Sequence, residues 1–163
     1  MKNMNWNFKV DMMLIENPQL FILAILAANN GQAIYGRTRL MKLAYIIQEE
    51  LKKRGILTKD IYPFQNYYYG PYSFKLREDL DTLVKNGLIL HQENILGDFI
   101  KENIYRITDK GLKELMQNQL NEKIMKVIEE VKKKYNTMPL FSLVREVYKK
   151  YVQPKKLHQN YYF

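Results

Sequence analysis

The apolar periodicities of this chain predict a mainly helical α+β fold carrying one small β-hairpin. Three observations point there. Apolar residues recur at helical spacing in stretches that start near Pro18, Thr38, Ser73, Thr108 and Pro139. Strand character is confined mainly to two neighbouring runs, residues 87–92 and 103–107, with Gly97-Asp98 between them as a turn. A length of 163 residues suffices for one buried core and gives no sign of a second.

The elements follow in order. Asn17-Pro18 starts the first helix, because Asn can accept a capping hydrogen bond and Pro in the first turn forfeits none. The stretch PQLFILAILAANNG is apolar all round and is expected to be buried, with Asn29, Asn30 and Gly31 suited to a left-handed stop. AIYG reads as a short strand. Thr38 is expected to cap a second helix with Leu40, Leu43, Ala44, Ile47 and Leu51 on one face, ended by Gly55. Residues 56–72 form a long connection with one strand in YPFQNYYYG. Ser73 caps a third helix reaching Asn86, whose stripe is Leu76, Leu80, Leu83 and Val84, and Gly87 closes it. After the hairpin, Thr108 or Asp109 caps one long fourth helix with the stripe Leu112, Met116, Leu120, Ile124, Val127 and Val131. Pro139 opens a last helix before a polar tail.

Composition narrows the function classes. Lys and Arg outnumber Asp and Glu by 26 to 17, and the formal charge of +9 favours polyanionic partners. The absence of cysteine excludes disulfides, thiol nucleophiles and thiolate metal sites. The most apolar run, Leu20 to Ala28, is far short of the roughly 20 residues that span a bilayer. The N-terminal MKNMNWNFKVDMM lacks the apolar core of a secretory signal, so a cytoplasmic protein without membrane partners is expected. His91 and His158 are the only histidines, and no nucleophile motif, phosphate loop or metal pattern is present. The expectation is therefore no enzyme, no cofactor and no metal; His91 near Glu93 and Asp98 lacks convergent ligands.

Helix, short strand, helix, helix, hairpin, helix is the order of a winged helix-turn-helix with a C-terminal helical extension. On this reading residues 17–115 form the core, 109–151 a helical arm, and 1–16 and 152–163 tails of what is effectively one domain. The junctions DLDTLVKNGLI and YRITDKG are like those of PadR-type and MarR-type regulators. The turn between second and third helices departs from them: about 3–4 residues is usual, whereas this one is far longer and holds the tyrosine cluster. GRTRLMKLAYIIQ, YYYGPYSFKLREDLDTLVKNGLI and YRITDKG together resemble the YwgA-like family of bacterial and archaeal proteins. The middle motif resembles, more distantly, the Panacea (SocA-like antitoxin) domain. The similarity covers most of residues 17–151. It implies a winged-helix-like fold and, for the antitoxin relatives, neutralisation of a toxin by direct protein binding. Met41 stands where the family's TRLQK pattern has Gln.

Two functions compete. As a regulator of transcription the chain would bind duplex DNA, mainly through phosphates and without strong sequence preference. The third helix is poorly equipped to read bases, since Lys75, Arg77 and Lys85 meet Glu78, Asp79 and Asp81, with Lys75–Asp79, Arg77–Asp81 and Asp81–Lys85 spaced as ion pairs on one surface. Positive charge concentrates instead between Lys123 and Lys156, where ten cations face three carboxylates. The candidate nucleic-acid contacts are Arg37, Arg39, Lys52, Lys53, Arg54, Lys75, Arg77, Lys101, Lys132, Lys133 and Lys134. A homodimer pairing through the fourth-helix stripe is expected, with folding of that helix back onto the first as the other outcome. The alternative function is an antitoxin-like or adaptor module that holds a protein, such as a toxin, at the corner Tyr67, Tyr68, Tyr69 and Tyr72. Alternation in an extended segment would send Tyr67 and Tyr69 to one side and Tyr68 to the other, with about two of the four tyrosines in the core.

Overall fold

The computed structural model describes residues 12–98 and 100–154. The chain is mainly helical with a small antiparallel sheet component. A short helical segment α1, residues 12–16, precedes α2 (Gln19–Gly31). Leu14 of α1 is fully buried in the main core, so this part of the expected N-terminal tail is structural. Pro18 occupies the N-cap position of α2, and no side chain caps the helix; Asn17 contributes its backbone carbonyl to Leu20 instead. Every residue from Leu20 to Leu26 is buried, as the all-round apolar sequence requires. Asn29, Asn30 and Gly31 all have positive φ and end the regular helix.

β1 (Ile34–Tyr35) leads into α3 (Arg37–Lys53). Gly36, with φ of 99°, is the N-cap residue; Thr38 lies inside the helix and caps nothing. The long connection that follows contains a second, two-stranded sheet, β2 (Gln65–Tyr67) and β3 (Gly70–Tyr72), where sequence alone predicted one strand. The Ser73 hydroxyl then accepts from the Leu76 amide and starts α4 (Phe74–Lys85), with Leu76, Leu80 and Leu83 buried.

β4 (Ile89–Leu96) and β5 (Ile100–Ile107) pair in register from Ile89↔Ile107 to Leu96↔Ile100, so both strands run further toward the Gly97-Asp98 turn than expected. β1 adds to the far edge of β5, giving the order β1-β5-β4. Thr108 accepts from the Gly111 amide to cap α5 (Asp109–Asn118) and donates to the Gly87 carbonyl, locking helix start to strand start. Gly111 is needed there, because a Cβ would sit 2.2 Å from the Leu88 carbonyl oxygen.

The single long fourth helix is not formed. Gln119 adopts a left-handed conformation, and Asn121 caps a new helix, α6 (Glu122–Tyr135), by accepting from the Lys123 amide. The break turns α6 back onto α2 and α3, where Ile124, Val127, Ile128, Val131 and Tyr135 are buried. That half of the stripe is spent inside the chain and cannot serve a symmetry mate; Leu112 and Met116 of α5 stay exposed. α7 (Leu140–Val147) continues into a π-helical turn, Tyr148–Val152, whose Tyr151 and Val152 close against the core. One apolar cluster thus runs from Leu14 to Val152.

Candidate functional site

The tyrosine corner is held from below by polar residues that the core encloses. Gln48 of α3 accepts the amides of Ile61 and Tyr62 at 2.8 Å each and donates to the Tyr62 carbonyl at 3.1 Å. Lys42, one turn and a half earlier, is 1% exposed and donates to the Pro71 carbonyl at 2.7 Å. Burial lowers the Lys42 pKa to about 8. The Tyr62 hydroxyl donates to Asp79 of α4 at 2.7 Å, and Asp79 takes a second contact from Lys75 at 3.2 Å. Burial first, then the Asp79 carboxylate, pushes the Tyr62 phenol well above its ordinary value. Leaving any one of these buried groups without its partner costs about 1–3 kcal/mol, so the connection between α3 and α4 is fixed in place, not a free loop.

On this frame stands the hairpin. Tyr67 pairs with Gly70, leaving Tyr68 and Tyr69 as the turn, and the positive φ the reversal demands falls on Gly70 at 97°. Tyr68 is 71% and Tyr69 64% exposed. Because the chain reverses between Tyr67 and Tyr69, the alternation expected of one extended strand does not apply. None of the four tyrosines is buried; Tyr72 is half-buried and anchors the rest. The Tyr67 ring lies 4.8 Å from Tyr68, 4.9 Å from Tyr72 and 5.2 Å from Phe74, and Tyr72 lies 5.1 Å from Phe74, mostly edge to face. Such pairs contribute roughly 0.5–1.5 kcal/mol each beyond area burial, so the rings brace one another while facing solvent. Phe74 was missed in the sequence, although it falls outside the buried stripe of its own helix and so had to face elsewhere.

The cationic candidates scatter. Arg39 donates to the carbonyls of Tyr35 (3.2 Å), Tyr135 (3.2 Å) and Met138 (2.6 Å), clamping the end of α6 to the start of α3. Lys132 is 0% exposed and donates to the Leu26 and Ala28 carbonyls at 3.1 and 2.7 Å, where α2 ends. A cation there suits the negative end of a helix dipole, and burial lowers its pKa to about 8. For Arg39 and Lys132 the expected phosphate contact is therefore replaced by internal work. Lys52 is paired with Asp60 (2.7 Å) and Glu49 (3.7 Å), and Arg54 with Glu130 (3.0 Å) and Glu50 (3.5 Å). Lys75 is held by Asp79, as its spacing predicted. Arg37 is half-buried at the start of α3, while Lys53, Arg77, Lys133 and Lys134 are exposed. Lys101 stands in β5 opposite Ile95, and its side chain lies outside the described residues, as do Lys155, Lys156 and His158. Arg54, Lys134 and Lys150 line a shallow cavity of about 110 Å³, but Glu50 and Glu130 line it too.

Among the described residues no three His, Cys, Asp or Glu side chains gather as a metal site would require. His91 instead stacks on Tyr105, centroids 4.7 Å apart, with Nε2 2.8 Å from the Asn103 side-chain oxygen. No described helix is long and apolar enough to cross a membrane. Compared with models of known protein families and with curated protein sequences, the chain matches none.

Proposed function

We propose that this chain is a non-catalytic protein-interaction module of the antitoxin or adaptor kind, built on a winged-helix body, and that it grips a partner protein with the tyrosine hairpin. One observation carries the reading: Tyr67, Tyr68, Tyr72 and Phe74 form a mutually packed aromatic surface left open to solvent on a rigid internal frame. Aromatic area fixed in advance costs little ordering entropy on binding, which is why such residues serve as interface anchors. The winged-helix reading rests on the order of α2, β1, α3, α4, β4 and β5 and on the β1-β5-β4 sheet. The resemblance of the tyrosine and Gly-Pro motif to antitoxin-like domains points the same way.

A second reading, duplex DNA binding, is favoured by the exposed cations Lys133, Lys134, Arg145, Lys149 and Lys150 near the C-terminal end of the described chain. It is the weaker of the two. The helix that would enter a groove, α4, exposes Glu78 and Asp81, and five of the cations expected to meet phosphate are engaged within the chain.

The test is to place a photo-crosslinking residue at Tyr69 in cells, identify what it captures, and measure the binary affinity with purified proteins. Tyr68→Ala and Tyr67→Ala should each weaken that affinity about tenfold or more, as hot-spot aromatics do. Unchanged affinity in folded variants refutes the reading, as does capture of a second copy of this chain alone. Duplex affinity that falls steeply with salt and is lost in Lys133→Gln/Lys134→Gln would favour the second reading.

A further inference from the structure

The β1-β5-β4 sheet ends on an open side. β5 lies between two neighbours, whereas no described strand pairs with the outer edge of β4. Two contacts fix which backbone groups reach that edge. The Thr108 amide donates to the Leu88 carbonyl, one step beyond the Ile89↔Ile107 pair, and the Gly36 amide donates to the Asn103 carbonyl on the opposite side of β5. In an antiparallel ladder a residue's N–H and C=O point the same way, and the direction alternates along the strand. Even-numbered residues of β4 therefore bond to β5, and odd-numbered ones, His91 and Ile95 among them, turn their backbone groups outward. Edge strands are ordinarily guarded by lysine, proline, a bulge or covering structure. β4, ILHQENIL, has no Lys, Arg or Pro in a chain with 26 Lys and Arg, and its register with β5 is unbroken by a bulge. Its Leu90 and Ile95 are 46% and 68% exposed.

We propose that β4 is a self-association surface along which two copies of this chain pair antiparallel, centred on Gln92, joining their three-stranded sheets into one. A two-fold axis relating antiparallel strands stands perpendicular to the sheet, so one residue must face its own counterpart. With Gln92 at that point, Ile89 of each copy lies opposite Ile95 of the other, and His91 opposite Glu93. Every one of these is a position whose backbone groups face outward, so the two edges hydrogen-bond in phase. The exposed Ile95 gains an apolar neighbour, the kind of cross-strand pair that stabilises a sheet. Moving the axis to Glu93 would set two carboxylates directly opposite each other, which is destabilising. The Gln92 register also carries the exposed Asp98 of each turn toward the base of the other copy's β4, where Lys85 is exposed and Lys110 donates to the Asn86 carbonyl. The strand is thus complementary to itself in shape of edge, apolar pairing and charge. The inference stands apart from the tyrosine hairpin and does not rest on the protein-binding reading.

The experiment follows sedimentation of the full chain at rising concentration, where monomer should give way to dimer. Hydrogen exchange should then slow at the His91 and Ile95 amides, while Gln92 and Asn94, already bonded to β5, change little. The chain has no cysteine, so single-cysteine variants read the register. In Gln92→Cys the two thiols meet at a non-hydrogen-bonded position, with Cα atoms about 4.5 Å apart, and should form an intermolecular disulfide on mild oxidation. In Leu90→Cys they stand about 13 Å apart, four residues along the strand, and should not. Ile95→Lys should weaken dimerisation about tenfold, because the change acts twice across the axis. Its side chain is exposed in the monomer, so the melting temperature of dilute protein should hold. A dimer lost in Ile95→Lys and kept in Tyr68→Ala supports the proposal. A chain monomeric at every concentration overturns it, as does a dimer indifferent to Ile95→Lys, protection without the odd–even pattern, or Leu90→Cys cross-linking as readily as Gln92→Cys.

Discussion

Raising the pH from 7 toward 10 should make this protein more stable, not less, because of two lysines the core encloses. Lys42 and Lys132 are 1% and 0% exposed, and burial alone lowers each pKa to about 8. No charged side chain contributes to either shift; the partners are the Pro71, Leu26 and Ala28 carbonyls. In the unfolded chain a lysine titrates near its ordinary value of about 10.4. Between these values the unfolded state binds more protons than the folded one, so the free energy of unfolding rises with pH. At roughly 1.4 kcal/mol per pKa unit, the gain is at most about 3 kcal/mol per lysine. The carbonyl bonds favour the charged form and bring it below that bound. Above pH 10 the sign reverses. Tyr62 and Tyr151 have pKa values raised by burial and by Asp79 and Glu50 respectively, so the unfolded tyrosines ionise first and stability falls. Urea midpoints measured from pH 7 to 11 should therefore rise, peak near 9–10 and decline, with the rise flattened in a Lys42→Met/Lys132→Met chain. A midpoint that is level or falling between pH 7 and 9.5, or a rise that survives in the double variant, would refute the reasoning.

Other outcomes follow from particular contacts. Gly111→Ala should destabilise by about 1–3 kcal/mol or more, seen as a lower melting temperature, because its Cβ would press on the Leu88 carbonyl and Ile107. Gln48→Ala strands the amides of Ile61 and Tyr62 and the carbonyl of Tyr62; a loss of about 2–4 kcal/mol is expected, with faster hydrogen exchange at residues 61 and 62. Tyr68→Ala should change folding stability by less than about 0.5 kcal/mol, since the residue is a turn tip, so any lost binding reports the surface itself. Neutralising Lys133 and Lys134 to Gln should leave stability within the same limit, while Lys132→Gln lowers it, which denaturant unfolding separates.

Much of the fold is legible where it depends on neighbours in the chain. The buried α2, the Ser73 and Thr108 caps, the left-handed stop at Asn29 to Gly31 and the turn at Gly97-Asp98 are all set by local spacing and backbone preference. The break at Gln119 was hidden because the stripe Leu112, Met116, Leu120, Ile124, Val127 and Val131 stays in phase across it. Periodicity cannot register a kink that preserves its period; the signal was Asn121 before Glu122, a second capping residue. At the candidate site, Tyr67, Tyr68, Tyr69 and Tyr72 were visible as a cluster, but their hairpin depends on one positive φ at Gly70. Lys42, Gln48, Asp79 and Lys132 read as surface letters. Their burial is decided by partners distant in sequence, such as the Ala28 carbonyl, 104 residues from Lys132.

The fold-back at Gln119 bears on how the molecule can be dissected. Cutting after Asn118 would strip the flank of α2 that Ile124, Val127, Ile128 and Val131 cover, remove the ammonium that tethers its carbonyl end, and sever the Tyr151 to Glu50 bond at 2.6 Å. A shortened chain would lose its shape along with its basic residues. Deletion phenotypes would thus report collapse, and only point changes on the intact polypeptide can assign a role to the C-terminal third.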